Sequence, residues 1–341
     1  MRPTVHDLAA SAGVSLATVD RVLNRRAGVR DDTRRKVEEA ISAIGYVRDV
    51  AAANLAKGRN YPFIFIVPAS DNSFMQRLRA EILSAMARGS IERTRIDVID
   101  VPPFDVSALH TALDKAEAER PSGIALVAID DPLIRLKVDE IVQGGIPVVT
   151  LVSDLSQSQR VHFSGVDNMA AGRTAGSLMG RFLGGKGGHV GVLVGSMQVK
   201  DHRERLDGFR QVMGADFPAL TVLPVVEGRD NATLVFDRIV SLSEDVPDLL
   251  GLYSLGAGNQ GLIRALRAKG RAGSICVIAH ELSDYSRKAL EDGVFDAVLN
   301  QDPGHEVRSA LRVLKATADG LDVIAGQEKI RIDIFLKDNL P

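Results

Sequence analysis

From Tyr61 onward the chain alternates short, continuously apolar runs with helical stretches, and this rhythm restricts the fold more than any other feature. The runs are FIFIV (63–67), IDVIDV (96–101), IALVAI (124–129), PVVTLV (147–152), HVGVLVG (189–195), TVLPVV (221–226), LLGLYS (249–254), ICVIAH (275–280) and AVLN (297–300). Strands apolar on both faces need helices over both faces, which predicts parallel sheets in α/β layers. Nine such runs are too many for one ordinary open sheet. Two doubly wound subdomains are the economical reading, and ligands in that architecture bind where the strands end, in the cleft between the two.

The first sixty residues break the rhythm. TVHDLAASAGVSLATVDRVLN (4–24) reads as two short helices around a tight turn. Thr4 followed by Asp7 makes a capping-box-like start, behind which Val5, Leu8, Ala9 and Ala12 keep helical spacing. Gly13 stops the first helix. Ser15 caps the second with its hydroxyl; Val19, Val22 and Leu23 then fall on an inward face, and Leu16, Ala17, Asp20 and Arg21 on an outward one. A third helix is expected from about Asp31 to Ile44, with Asp31 and Asp32 at its positive end and Gly45 as the stop. Helical hairpins also occur inside ordinary globular domains, so charge decides. Residues 1–60 carry eleven Lys and Arg against seven Asp and Glu, a net of +4; of the chain's 42 and 44, this leaves 31 against 37, a net of −6, for residues 61–341. A basic headpiece on an acidic body is what a phosphate-binding module attached to a domain that does not bind DNA looks like.

AGVSLATVDRVLN followed by VRDDTRRKVEEAISAIGY resembles the headpiece of the lactose-repressor (LacI) family of bacterial transcription regulators, closely over residues 3–59. The resemblance implies a second helix in the major groove, with Leu16, Ala17 and Arg21 at base edges and Ser15 and Thr18 on phosphates. Thr4, Asn24 and Arg25 join the same DNA-facing set. Arg21 is best suited to a base, because a guanidinium bonds both acceptors of a guanine edge; Leu16 and Ala17 offer apolar contact, for example to a thymine methyl. Asp20 departs from the family's usual serine and is expected to be neutralised by Arg21, Arg25 or Arg26, or to accept from a cytosine amino group. YVRDVAAANLAKGR stands where the family has a hinge helix, formed when two protomers sit side by side on the operator, and Leu55 takes the position of the leucine wedged into the minor groove. Arg48 and Ala53 depart from the usual proline and arginine. A linker without DNA contact is the other reading of this segment.

Residues 61–341 are similar, more diffusely, to ribose-type periplasmic sugar-binding proteins, to which the effector domains of that family are related. The implied fold is a small all-α helix-turn-helix headpiece (1–45), a hinge (46–60) and a periplasmic-binding-protein-like, type I α/β effector domain (61–341) of two doubly wound parallel-sheet subdomains. These are expected over about 61–165 with 298–326, and about 166–297 with 327–341. The resemblance also implies a ligand set. Asn72 and Phe74 lie in DNSF, the aromatic to stack on a sugar face, with Met75 where a second aromatic is often found; Ser153 and Asp154 in IPVVTLVSD lie near an aspartate–arginine pair that is itself missing. Arg205 with His202 in KDHRERLDGF, Asn259 in GAGNQG, Glu281 with His280 in IAHE, and Gln301 in VLNQDP complete it. Asp167 and Asn168, in SGVDNMAAG, are assigned to the crossover strand and helix start rather than to the ligand. Carboxylate, amide and guanidinium together supply what a polyol stripped of water requires, so a neutral sugar, cyclitol or related polyol fits better than a phosphorylated one. Each residue also has a plainer reading as a loop polar group or helix cap, and His202 and His280 as groups satisfying a strand end.

No apolar run approaches a membrane span, no signal-peptide pattern opens the sequence, and mean hydropathy is +0.04. The lone cysteine, Cys276 in SICVIA, reads as a core strand residue; with no partner for a disulfide it fits a reducing cytoplasm. GGKGGHVG (184–191) lacks the GxxxxGK-Ser/Thr spacing and reads as a glycine-rich turn. The scattered histidines make no metal pattern, and no nucleophile elbow, triad or cofactor fingerprint accompanies the carboxylates, so neither cofactor nor enzyme is expected. The expected function is a cytoplasmic transcription regulator, a repressor of a carbohydrate or polyol operon, that binds palindromic operator DNA as a homodimer under control of a small polyol. Two other classes are weighed against it. A solute-binding receptor of a transport system shares residues 61–341 but predicts an export signal in place of the basic headpiece, and a sugar-acting enzyme predicts turnover. The closing IRIDIFLKDNLP holds no leucine heptad, so no tail-mediated tetramer is expected.

Overall fold

The computed structural model describes residues 3–23, 26–46, 60–70, 72–89, 93–197, 199–229, 231–256 and 258–341, and the chain divides into two compact units, 1–59 and 60–341.

The first unit holds three helices, Val5–Ala12 (α1), Leu16–Leu23 (α2) and Asp31–Ile44 (α3). The capping box at α1 forms: Asp7 N–H donates to the Thr4 hydroxyl, and Thr4 N–H donates to the Asp7 carboxylate at 2.8 Å. Gly13 and Gly45 end α1 and α3 at φ 64 and φ 62, the left-handed region that glycine enters without strain. Leu8 from α1, Val19 from α2 and Val37 from α3 are fully buried against one another, with Tyr46 beside them. The inward face expected of α2 is therefore the one that packs.

The second unit has two sheets. The first is built from Tyr61–Pro68 (β1), Ser73–Ala87 (α4), Thr94–Val101 (β2), Val106–Ala118 (α5), Gly123–Leu126 (β3), Pro132–Gln143 (α6), Val148–Leu151 (β4) and His162–Ser164 (β5), all strands parallel in the order β2-β1-β3-β4-β5. Along β1, Phe63 and Phe65 are buried on one face with Leu78 and Ile82 of α4, and Ile64 and Ile66 on the other with Leu109 and Leu113 of α5. Burial on both faces explains why the strand reads as an unbroken apolar run.

The chain then crosses into the second sheet through Asn168–Leu183 (α7), Gly188–Val194 (β6), Lys200–Asp216 (α8), Leu220–Glu227 (β7), Ala232–Asp245 (α9), Leu249–Ser254 (β8), Asn259–Ala268 (α10), Cys276–His280 (β9), Asp284–Glu291 (α11) and Ala297–Asn300 (β10). Pro303–Asp319 (α12) returns to the first lobe, where Val307, Leu311 and Leu314 pack with Phe63 and Phe65. After Ala325–Glu328 (α13), the short strand Asp333–Phe335 (β11) joins the second sheet antiparallel to β10, giving the order β11-β10-β9-β8-β6-β7.

Two expectations are corrected. All of β10 is paired with β9 and β11, so the return to the first lobe falls after Asn300 and not at 298. The runs at 124–129 and 147–152 outlast their strands, which stop at Leu126 and Leu151. Residues 127–129 and Val152 leave the sheet to line a cavity. The glycine-rich segment after α7 is a turn, with Gly184 at φ 60 and Gly185 at φ 79.

Candidate functional site

The first-lobe strands β1 to β4 end around a cavity of about 450 Å³, whose far wall is the start of α8, Val199 to His202. A smaller cavity of about 120 Å³ lies between Asn72 and Ser73 at the start of α4 and the second-lobe residues Gly258, Asn259, Glu281 and Ser283. Asn72 borders both. In each sheet the chain reverses direction between the strands flanking β1 and β6, and these are the switch points at which ligands bind in open α/β sheets.

Arg205 is the largest of the fully buried side chains here. It reaches its position because α7 and α8 cross in backbone contact: a Cβ on Gly172 would stand 1.9 Å from the Arg205 carbonyl oxygen, and one on Gly208 2.2 Å from that of Met169. The Arg205 side chain is 2 % exposed; its Nε donates to Asn168 Oδ1 at 2.8 Å and its Nη1 to the Leu255 carbonyl at 2.7 Å. Nη1 also lies 3.9 Å from Glu281 Oε1, to which Gln301 Nε2 donates at 3.0 Å. Four buried atoms of this group have no hydrogen-bond partner among the described residues: Arg205 Nη2, Glu281 Oε2, Gln301 Oε1 and Asp201 Oδ1. Ser153 Oγ, on the first-lobe side, is a fifth. Ser153 and Asp201 line the larger cavity and Glu281 the smaller, with Arg205 and Gln301 against Glu281; buried polar atoms are nearly always paired, so those facing the cavities mark places where something else can bond.

Burial pushes the Glu281 carboxyl from 4.5 up to about 7, against the pull of Arg205, Gln301 and Arg77. Its backbone sits at φ 71, a left-handed conformation that non-glycine residues hold at a cost, and such strain collects at functional sites. Glu306, in the first turn of α12, is wholly buried with both oxygens unpartnered among the described residues. Its burial, and next the neighbouring Glu281, hold its carboxyl well above the usual range.

The expected ligand residues divide. Ser153 and His202 line the larger cavity and Glu281 the smaller, Arg205 and Gln301 stand against the Glu281 carboxyl, and His202 Nδ1 is held at 2.9 Å from the Ser196 carbonyl. Asn72 borders the cleft but caps α4, its Oδ1 accepting from the N–H groups of Phe74 and Met75. Asn259 borders the smaller cavity with its amide spent internally, accepting from Ser254 Oγ at 2.7 Å and donating to the His280 carbonyl at 2.9 Å.

Three assignments fail. Phe74 is turned into the first-lobe core beside Leu78 and Val67, because the phase of α4 points position 74 at the sheet; Met75 lines the cavity instead. His280 is a buried core group whose Nε2 meets the Tyr253 hydroxyl at 2.8 Å; burial, with the charges of Arg205 and His202, holds it well below the usual histidine range and so neutral. Asp154 lines neither cavity and is spent internally: it is forked to Arg160, Nη2 to Oδ2 at 2.7 Å, and also accepts from Thr150. Burial opposes ionisation of Asp154, but the Arg160 contacts hold its carboxyl below the usual range.

Asp201 and Glu306 were missed by sequence reasoning. Asp201 adjoins the identified His202, and Glu306 is an acid in the first turn of a helix entered at the lobe crossing; only those placements mark them. Asp167 caps α7, accepting from Ala170 N–H, and Asn168 anchors Arg205.

In the first unit, Leu16 of α2 is 41 % exposed, and Ala17 and Arg21 are exposed with it. The Ser15 hydroxyl accepts from Thr18 N–H at 3.2 Å and lies 2.9 Å from the Thr18 hydroxyl. Thr4 is engaged in its capping box, and Asp20 pairs with Arg26 at 3.4 Å. Asn24, Arg25, Leu55 and the hinge segment 47–59 lie outside the described residues. No described helix is long and apolar enough to cross a membrane, and no three described His, Cys, Asp or Glu residues are placed to hold a metal.

Residues 4–49 match the bacterial regulatory proteins of the lacI family, and residues 63–322 match the periplasmic binding protein domain. The regulator CelR of Thermobifida fusca is 27 % identical over 79 % of this chain and 78 % of its own length. The ribose operon repressor of Escherichia coli is 26 % identical over 62 % of this chain and 61 % of its own. Among solved structures, a sugar-binding protein of a sugar ABC transporter from Bacillus halodurans is 25 % identical with a TM-score of 0.70, covering 82 % of this chain and 98 % of that one. The glucose-galactose binding protein GanP from Geobacillus stearothermophilus has a TM-score of 0.74 at 20 % identity, over 83 % of this chain and 99 % of that one, a likeness of fold.

Proposed function

Because the chain belongs to the lacI family of bacterial regulatory proteins, with a periplasmic binding protein domain behind its headpiece, we propose that it is a sequence-specific transcriptional repressor controlled by a small neutral polyol. The single observation carrying this reading is a group of buried polar atoms without a partner among the described residues, on Asp201 and Ser153 of the larger cavity, on Glu281 of the smaller and on Arg205 and Gln301 beside it, in a chain whose first unit is a helix-turn-helix. A phosphorylated effector is disfavoured, since three of those atoms belong to carboxylate or amide acceptors and one to an arginine.

In this reading the protein is a cytoplasmic homodimer on a palindromic operator. Leu16, Ala17 and Arg21 meet base edges, Ser15, Thr18 and Thr4 lie at the backbone with Asn24 and Arg25, and Leu55 wedges the minor groove. Asp20 is neutralised by Arg26, in keeping with their ion pair. The effector acts by linkage: it favours one arrangement of the two lobes, and that arrangement alters whether two hinge segments pair on DNA. A coupling of roughly 1 to 3 kcal/mol changes operator affinity by about 5- to 150-fold. Solved relatives of the second unit include transport receptors, but the match of residues 4–49 to the lacI regulatory proteins and the exposed Leu16, Ala17 and Arg21 face of α2 favour regulation over transport. A thermal-shift screen of the full chain against pentoses, hexoses, inositols and sugar phosphates tests the cleft. Stabilisation by a neutral polyol that Arg205→Met abolishes is expected; a response confined to phosphorylated sugars contradicts it.

A further inference from the structure

We propose that the chain carries its own clasp across the cleft: Arg203 and Lys200 of the second lobe grip Asp130 and Ser156 of the first, so that the lobes stand closed before any effector binds. Such a clasp belongs to the free chain and depends on no property of the ligand.

Asp130 lies in the segment after β3 and lines the larger cavity, and Lys200 opens α8 on the opposite wall. Asp130 is shared between the lobes. Its Oδ1 accepts from Arg135 Nη2 at 2.7 Å within the first lobe, and its Oδ2 accepts from Arg203 Nη2 at 3.2 Å across the cleft. One turn earlier on α8, Lys200 Nζ donates to the Ser156 hydroxyl. At the smaller cavity, Arg77 of α4 donates through Nη1 to the Leu282 carbonyl at 2.5 Å, beside the lining residues Glu281 and Ser283. Protein groups thus bond directly from lobe to lobe next to both cavities. The side chains of Asp130 and Lys200 keep only 19 % and 14 % of their surface exposed, so water and salt screen these contacts less than a pair on the open surface.

The same groups are arranged to let go. Released from Arg203, Asp130 keeps Arg135; Arg203 keeps the Met197 carbonyl, to which its Nη1 donates at 3.0 Å; and Lys200 keeps Glu204, 3.5 Å from its Nζ. Breaking a buried ion pair is strongly destabilising when it strands one charge, and opening here strands none of the three. The closed and open arrangements therefore lie close in free energy, with the clasp tipping the balance toward closure. A small ligand can bias such an equilibrium, because its differential affinity need exceed only a small gap.

Electron–electron double resonance on the full chain reads the lobe separation. Spin labels at Leu136→Cys on α6 and Asp207→Cys on α8, both exposed positions, with Cys276→Ser removing the native thiol and the labelled chain diluted into unlabelled protein, report one distance per molecule. Without any sugar, the separation that these contacts fix is expected to dominate. Lys200→Met combined with Arg203→Met is expected to move the larger part of the distribution away from it. Salt at about 1 M, where the screening length falls to about 3 Å, is expected to act in the same direction. Arg135→Met removes only the pairing inside the first lobe and is expected to leave the distribution in place, which separates loss of the clasp from general loosening. A free chain dominated by another separation, or a distribution that neither the double substitution nor salt moves, overturns the clasp.

Discussion

Replacing Glu281 by Gln turns the cleft's electrostatics into a stability measurement. The folded protein holds the Glu281 proton up to about pH 7, against 4.5 for an ordinary glutamate, chiefly because the carboxyl is buried and only partly compensated by Arg205. A pKa raised by folding means that the group's stabilising contribution is complete below about pH 4.5 and is lost as pH climbs through about 7. That interval corresponds to about 3 kcal/mol, an upper bound because the Glu281 side chain keeps 12 % of its surface exposed. Glu306 acts in the same direction, so the wild-type slope includes both carboxyls, and the difference between wild type and Glu281→Gln isolates one. The substitution preserves shape and still lets Oε1 accept from Gln301, which donates at 3.0 Å. Urea unfolding at several pH values between 5 and 9 is the assay. The variant is expected to match wild type near pH 5 and to exceed it by up to about 3 kcal/mol at pH 9. Parallel curves, or a variant weaker at pH 9, would mean that Arg205 stabilises the ionised carboxylate and that the burial argument is wrong.

Three further outcomes follow from the same geometry. Arg205→Met strips Asn168 Oδ1 and the Leu255 carbonyl of their donors; a loss of about 3 kcal/mol in unfolding free energy is expected, and an unchanged value would refute the anchoring role. Gly172→Ala places a methyl 1.9 Å from a backbone oxygen that cannot rotate aside, and is expected to cost about 1 to 3 kcal/mol, whereas Gly214→Ala in α8, with nothing within 4 Å, gains up to about 1 kcal/mol; equal thermal midpoints for the two would contradict the close crossing of α7 and α8. Arg21→Ala is expected to cost about 1 to 3 kcal/mol in operator binding and to relax base preference at one position of each half-site, read by anisotropy against single-base operator variants.

The strands were legible wherever burial is two-sided, because an unbroken apolar run admits few other readings, and LLGLYS and AVLN coincide with β8 and β10. The three-residue strand β11 was missed and β5 was anticipated only as a crossover strand without bounds: HFS and DIF are too short to show any period, and their pairing is set by the neighbouring strands. Runs that overshot, at Val127 to Ile129 and Val152, did so because apolar residues serve a cavity wall as readily as a sheet. In the site, Arg205, Glu281 and Gln301 could be placed because each follows a recognisable strand or opens a helix. Phe74 could not, since one residue of helical phase separates cavity from core and the DNSF motif does not fix that phase. The Asp154–Arg160 pair was invisible because the arginine comes from six residues further along, across a turn. His280 turned on a partner, Tyr253, that is distant in sequence.

Coupling between the cleft and DNA in one chain is read by a fluorescence-anisotropy titration of the full chain on the DNA upstream of its own gene, with and without the best-stabilising polyol. A shift in operator affinity of about 5- to 150-fold that disappears in Arg205→Met is expected. A polyol that stabilises the protein while leaving operator affinity unchanged would contradict it.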